Sequence, residues 1–136
     1  MLKTLVIAPH PDDELIGCGG TLLRRSNEGV ILGWMIVTQI SEEQGWNSNQ
    51  VSIRDDEIEK VRNGLNIQKN NVYQLGFPTT KLDVIPKVDL IQKISDVFNS
   101  FLPEEILIPH YGDVHSDHRI VFDSVCGCTK WFRHPF

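Results

Sequence analysis

The chain has 136 residues, 40% hydrophobic and 23% charged, and its 13 Lys and Arg against 18 Asp and Glu give a formal net charge of −5. That length suffices for one compact domain with a core, and the acidic balance argues against a sequence-independent nucleic-acid binder, which needs a basic surface to displace counterions. The apolar start is too short for a membrane span and lacks signal-peptide flanks. Cys18, Cys126 and Cys128 form no disulfide framework, so a cytoplasmic protein is expected.

The first element is the apolar run Leu5–Ala8, which lacks polar alternation, as a strand buried on both faces of a parallel sheet does. Pro9 and Pro11 break it and hold His10 in an extended loop. Asp12, Asp13 and Glu14 follow, where negative charge suits the start of a helix. The spacing predicts that helix from Gly17 or Cys18 to Asn27, with Leu22 and Leu23 facing the sheet and Gly29 as the stop. Gly17-Cys18-Gly19-Gly20 fails the dinucleotide fingerprint, because Leu22 stands where the third glycine belongs.

Val30–Thr38 reads as a second buried strand, and residues 39–50 as a long polar loop, mobile or functional, that carries Glu42, Glu43 and Trp46. Trp46 either stacks on a sugar or packs on its own domain. A helix is expected from Ser52 to Asn66, with Ile58, Val61 and Leu65 as its apolar stripe. Arg54 then falls in the first turn, where the helix dipole disfavours a cation and an i,i+3 pair with Glu57 is the simplest explanation. A third strand spans Val72–Gly76. A third helix runs Pro86–Phe101, with Val88, Ile91, Ile94, Val97, Phe98 and Phe101 inward. Glu105–Ile108 is the fourth strand, followed by the loop 109–118 and a last helix on which Cys126 and Cys128 are small residues.

Strands alternating with helices predict an α/β fold, three-layered and Rossmann-like, with a mostly parallel sheet flanked by helices. Ligands of such sheets bind beyond the carboxyl ends of the strands. Both histidine-bearing loops leave those ends, so His10 and Asp13 should meet His115 and His118 at one rim. Two imidazoles and a carboxylate with a position left open suit a catalytic zinc site. Asp117 is either an orienting partner for an imidazole or a helix-start acid. Glu14 is expected to favour the helix start. His110 either lines the pocket or is a satisfied structural histidine, and His134 is given no role.

His10-Pro11-Asp12-Asp13-Glu14 after a buried strand, paired with His115-Ser116-Asp117-His118, resembles the LmbE-like (PIG-L) family of zinc-dependent N-acetylglucosaminyl deacetylases. The resemblance extends to Arg54-x-x-Glu57 and Leu75-Gly76-Phe77-Pro78. It implies a hydrolase that removes the acetyl group of a GlcNAc-type N-acetyl sugar with zinc-activated water. It also implies that Zn2+ is held by His10, Asp13 and His118, that Asp12 is the general base, that His115 is a charged donor or acid at the reacting centre, and that Arg54 contacts substrate. The family commonly has an acid soon after the Leu-Gly-Phe-Pro, where this chain has Thr79, Thr80 and Lys81. Its members also usually continue further, so residues 1–136 are expected to be a single deacetylase domain lacking the C-terminal part, with weak substrate binding unless a partner subunit, in a homo-oligomer, covers the gap. The alternative is a truncated metal-binding or assembly module without activity.

Overall fold

The computed structural model describes residues 2–129, which leaves His134 outside the described residues. The order is β1 (Lys3–Ala8), α1 (Asp13–Asn27), β2 (Ile31–Gln39), a 3-10 turn (Glu42–Gln44), α2 (Ser48–Gly64), a second 3-10 turn (Lys69–Asn71), β3 (Val72–Pro78), a third 3-10 turn (Leu82–Val84), α3 (Lys87–Phe101), β4 (Glu105–Leu107) and α4 (Ser116–Cys128). The sheet is wholly parallel in the order β3-β2-β1-β4. Side chains alternate across it. Leu5, Ile7, Met35 and Val37 pack with Leu90, Ile94, Phe98 and Val121 of α3 and α4 on one face. Val6, Ala8, Trp34 and Ile36 pack with Leu22, Ile58 and Leu65 on the other. Three layers result, as the alternation of elements predicts.

From β1 the chain builds outward in one direction to β2 and β3, and then returns to place β4 on the opposite side of β1. The connections leaving β1 and β4 therefore diverge, which opens a crevice at the carboxyl ends of those two strands. The β1 end is fixed across the sheet, since the Thr38 hydroxyl and backbone N–H both donate to the Pro9 carbonyl, at 2.8 and 3.0 Å.

Several sequence expectations shift. Helix α1 begins at Asp13 and bends at Cys18 (φ −149, ψ 25), so the glycine run lies inside the helix and not at its start. Leu22 is buried, but Leu23 is 49% exposed and does not face the sheet. Helix α2 begins at Ser48, four residues earlier than expected. Asn47 accepts from the Gln50 N–H while the Gln50 side chain accepts from Asn47 N–H, a capping box that the polar composition of 39–50 hides from any hydrophobic period. Arg54 consequently lies in the second turn, and the electrostatic oddity disappears. On α3, Val88 is 69% exposed and Leu90 takes its place in the core. Strand β3 runs past Gly76 (φ 78) to Pro78 by way of a bulge opposite Ile36 to Thr38. Cys128 is buried and Cys126 exposed on α4. No helix among the described residues is long and apolar enough to cross a membrane.

Candidate metal centre

The loop after β1 is built by local bonds. His10 N–H donates to Asp13 Oδ2 at 2.8 Å, and Asp13 N–H donates back to the His10 carbonyl at 3.2 Å. This brings the Asp13 carboxylate beside its neighbour's ring, with Oδ2 at 3.2 Å from His10 Nδ1. The first turn of α4 delivers His118, whose Nε2 lies 3.0 Å from the same Asp13 oxygen. The rings of His10 and His118 are 5.3 Å apart, and that of His115 sits 4.7 and 5.1 Å from the two. One donor atom from each of His10, Asp13 and His118 lies within 4.8 Å of the others. Tetrahedral zinc with bonds near 2.0 Å separates its ligand atoms by about 3.3 Å, so the nitrogen-to-oxygen spacings of 3.0 and 3.2 Å fit such an ion.

The far sides of both rings are also satisfied. His10 Nε2–H donates to Asp117 Oδ2 at 2.9 Å, and His118 Nδ1–H donates to Asp113 Oδ2 at 3.0 Å. Each carboxylate engages the outer nitrogen of its ring, so the inward nitrogen is the one left to ligate a metal. Asp117 is fully buried, and its two oxygens also accept from Thr80 N–H at 2.8 Å and Leu82 N–H at 3.2 Å. It therefore joins three segments of chain. Asp113 additionally accepts from His115 N–H at 2.9 Å.

These contacts set the titration of the group. Burial opposes charge on His10, but the Asp13 and Asp117 carboxylates outweigh it and hold its pKa above the ordinary 6.5. Burial likewise opposes charge on Asp13, and its hydrogen bonds from His10 win, so its pKa lies below the ordinary value. Asp113 is lowered by the His115 N–H and by the imidazole of His118. Glu14 goes the other way, because desolvation dominates.

The cluster opens into a cavity of about 560 Å3 that is also lined by Asp12, Trp46, Arg54, Lys81 and His115. The profile of the PIG-L family, described as GlcNAc-PI de-N-acetylase, matches residues 5–128. The chain belongs to the PIG-L family. This PIG-L chain is 29% identical over 126 residues to the uncharacterised deacetylase YaiS of Escherichia coli, a match covering 88% of this chain and 64% of that one. It is 31% identical over 124 residues to the probable N-acetyl-alpha-D-glucosaminyl L-malate deacetylase 2 of Bacillus cereus, covering 84% and 54%. Its fold superposes on the N,N'-diacetylchitobiose deacetylase of Pyrococcus horikoshii with a TM-score of 0.75 and 27% identity, covering 93% of this chain and 50% of that one. The chain thus spans about half to two-thirds of the length of these relatives.

Within the PIG-L chain, the residues expected at one rim are found there. Asp12 is exposed at the cavity wall with φ 142, a conformation that disfavours any side chain. Its N–H is held by Glu14 Oε2 at 3.1 Å. Glu14 is therefore more than a helix-start acid: it is 1% exposed and braces the strained residue, while its Oε1 has no hydrogen-bond partner among the described residues. Arg54 does pair with Glu57, at 3.3 Å, and its Nη1 also donates to the Pro11 carbonyl at 2.8 Å, so it anchors the loop after β1 as well as lining the cavity.

His115 caps α4, with Nδ1 accepting the Asp117 N–H at 3.1 Å. A ring that accepts at Nδ1 has only Nε2 left to donate. His110 is exposed and accepts the Gly112 N–H at 2.9 Å, and it also lines a second cavity that shares Asp13 and His118 with the first, so both alternatives describe it. Asp113 is the participant that sequence reasoning missed. The available signal was a carboxylate two residues before one site histidine and five before another.

Proposed function

We propose that this chain is a zinc-dependent deacetylase that hydrolyses the acetamido group of an N-acetylated sugar of the GlcNAc type. The observation that carries the reading is the convergence of His10 Nδ1, Asp13 Oδ2 and His118 Nε2 at the mouth of a cavity that also holds Asp12 and the His115 ring. Two imidazoles and one carboxylate with room for further ligands are a catalytic and not a closed structural donor set. Named relatives act on N-acetylated sugars.

His10, Asp13 and His118 would hold the ion, which when bound supplies Lewis acidity that polarises the acetyl carbonyl and acidifies water. Asp12 takes the proton from the attacking water on its carboxylate and returns it to the departing amine nitrogen. General acid–base transfer of this kind contributes about 10²- to 10⁴-fold. The brace from Glu14 to the Asp12 N–H holds the backbone from which that carboxylate reaches the cavity, and Asp12 is not among the residues that would hold the ion. His115 Nε2–H donates to the carbonyl oxygen as negative charge develops there, a contact of about 3 kcal/mol in preorganised sites. Trp46, 39% exposed on the cavity wall, offers an indole face to the pyranose ring. Arg54 presents its remaining N–H groups to substrate hydroxyls.

Acetate release from GlcNAc, diacetylchitobiose and a GlcNAc glycoside of a hydroxy acid, measured with zinc-loaded and chelator-treated protein, tests this reading. Zinc-dependent release from at least one of them is expected. Stoichiometric zinc with no release from any of the three would contradict it and leave a metal-binding module.

A further inference from the structure

The loop between β3 and α3 carries a feature that the hydrolytic chemistry does not use. Thr80 has φ 60, a strained value for a β-branched residue. Its N–H and that of Leu82 both donate to the buried Asp117 carboxylate, at 2.8 and 3.2 Å. Lys81 lies between these two anchored positions, so its backbone is fixed on both sides, and its exposed side chain lines the metal cavity. Strain retained at a fixed loop beside a site is a device for placing a side chain.

The cavity has a second cation, but Arg54 is committed to Glu57 and to the Pro11 carbonyl. Lys81 pairs with no carboxylate among the described residues. An ammonium at the wall of a binding cavity, carried on a fixed stretch of backbone and without a counter-ion among the described residues, complements an anion on the bound molecule. The carboxylates of Asp12 and Asp13 line the same cavity, so a substrate anion is favoured only on the Lys81 side.

We propose that Lys81 is a specificity-determining residue that selects N-acetyl sugars bearing an anionic substituent, a phosphate or a carboxylate, on the part of the substrate that remains after deacetylation. The inference rests on the deacetylase reading for its substrate and adds the charge of that substrate. The test compares kcat/KM for GlcNAc, GlcNAc 1-phosphate and a carboxylate-bearing GlcNAc glycoside, in the wild-type chain, in Lys81→Gln and in Lys81→Glu.

The wild type should prefer one or both anionic substrates over GlcNAc by about threefold to fivefold, the range of an accessible ion pair. The preference should vanish in Lys81→Gln, invert in Lys81→Glu and weaken with added salt. A preference for the phosphate or the carboxylate alone identifies the source of the charge. Equal use of neutral and anionic sugars, or a preference that survives both substitutions, overturns the proposal. Calorimetric binding of glucosamine and glucosamine 1-phosphate separates this failure from that of the deacetylase reading. If no sugar is hydrolysed but the phosphate binds more tightly in a Lys81-dependent manner, the anion site stands alone, and absence of that difference refutes it.

Discussion

Asp117 offers the sharpest separation of stability from metal binding. In Asp117→Ala, Thr80 N–H, the buried Leu82 N–H and His10 Nε2–H all lose their acceptor. At about 1–3 kcal/mol for each buried donor left unpaired, with partial relief by water at Thr80, the fold should lose about 3 kcal/mol, or roughly 10 °C in Tm for a chain of this size. His10 also loses the group that orients its ring, which should weaken zinc binding about 10- to 100-fold. Asp117→Asn differs: its amide oxygen can stand where Oδ2 does and retain Thr80 and His10, while its NH2 then faces the Leu82 N–H. One bond is lost, so the cost should be about 1–2 kcal/mol with a much smaller change in zinc affinity. Thermal unfolding in chelator reads the first quantity, and competition with a chromophoric chelator reads the second. Zinc affinity unchanged in Asp117→Ala, or equally weakened in both variants, would refute the assignment of His10 Nε2–H to this carboxylate.

Other outcomes follow from the same geometry. Asp12→Asn should keep zinc but lose about 10²- to 10⁴-fold in kcat, whereas His118→Ala should lose zinc; equal metal loss in the two contradicts the division of roles. Glu14 has its pKa raised by burial, so the native state holds its proton to a higher pH than the unfolded chain does, and its contribution is greatest below the ordinary Glu pKa and is lost as pH rises through the folded value. Glu14→Gln, which keeps an acceptor for Asp12 N–H, should therefore raise Tm relative to wild type at pH 7–8, and the gap should close near pH 4; a gap independent of pH counts against it. Trp46→Ala should raise KM for sugar substrates by about tenfold with kcat little altered, and steady-state kinetics showing a fall in kcat alone would remove the indole from the binding surface.

The alternation of buried runs and periodic helices was readable because a parallel sheet hides both faces of its strands, so Leu5–Ala8 and the stretch around Trp34 to Val37 show no polar interruption. The metal ligands were readable for a related reason: charge and imidazole gathered where an apolar run stops can face only the rim. What sequence could not give depends on contacts between distant segments. Asp117 looked equally like a helix-start acid because its partners Thr80 and Leu82 lie over 30 residues away, and Asp113 looked like loop polarity until the fold brought its carboxylate to the His118 ring. Glu14 is buried and turned back to the Asp12 N–H, a contact that no periodicity reports. The start of α2 was misplaced because its first turn is held by the Asn47 and Gln50 side chains and not by an apolar face, although Asn-x-x-Gln is itself a legible cap. Val88 is exposed and Leu90 buried because the buried stripe of α3 runs through Leu90, Ile94, Val97, Phe98 and Phe101, a helical face that Val88 does not share.

The central claim is that two loops, one from each side of the switch in strand order, share one divalent ion. X-ray absorption of the zinc-loaded chain, combined with metal analysis of the wild type, His10→Ala, Asp13→Ala and His118→Ala, tests it most directly. The account predicts one zinc per wild-type chain in a shell of nitrogen and oxygen with two imidazoles, and substoichiometric zinc in all three variants. A sulfur-containing shell, or full zinc retention in any two of the variants, would contradict it.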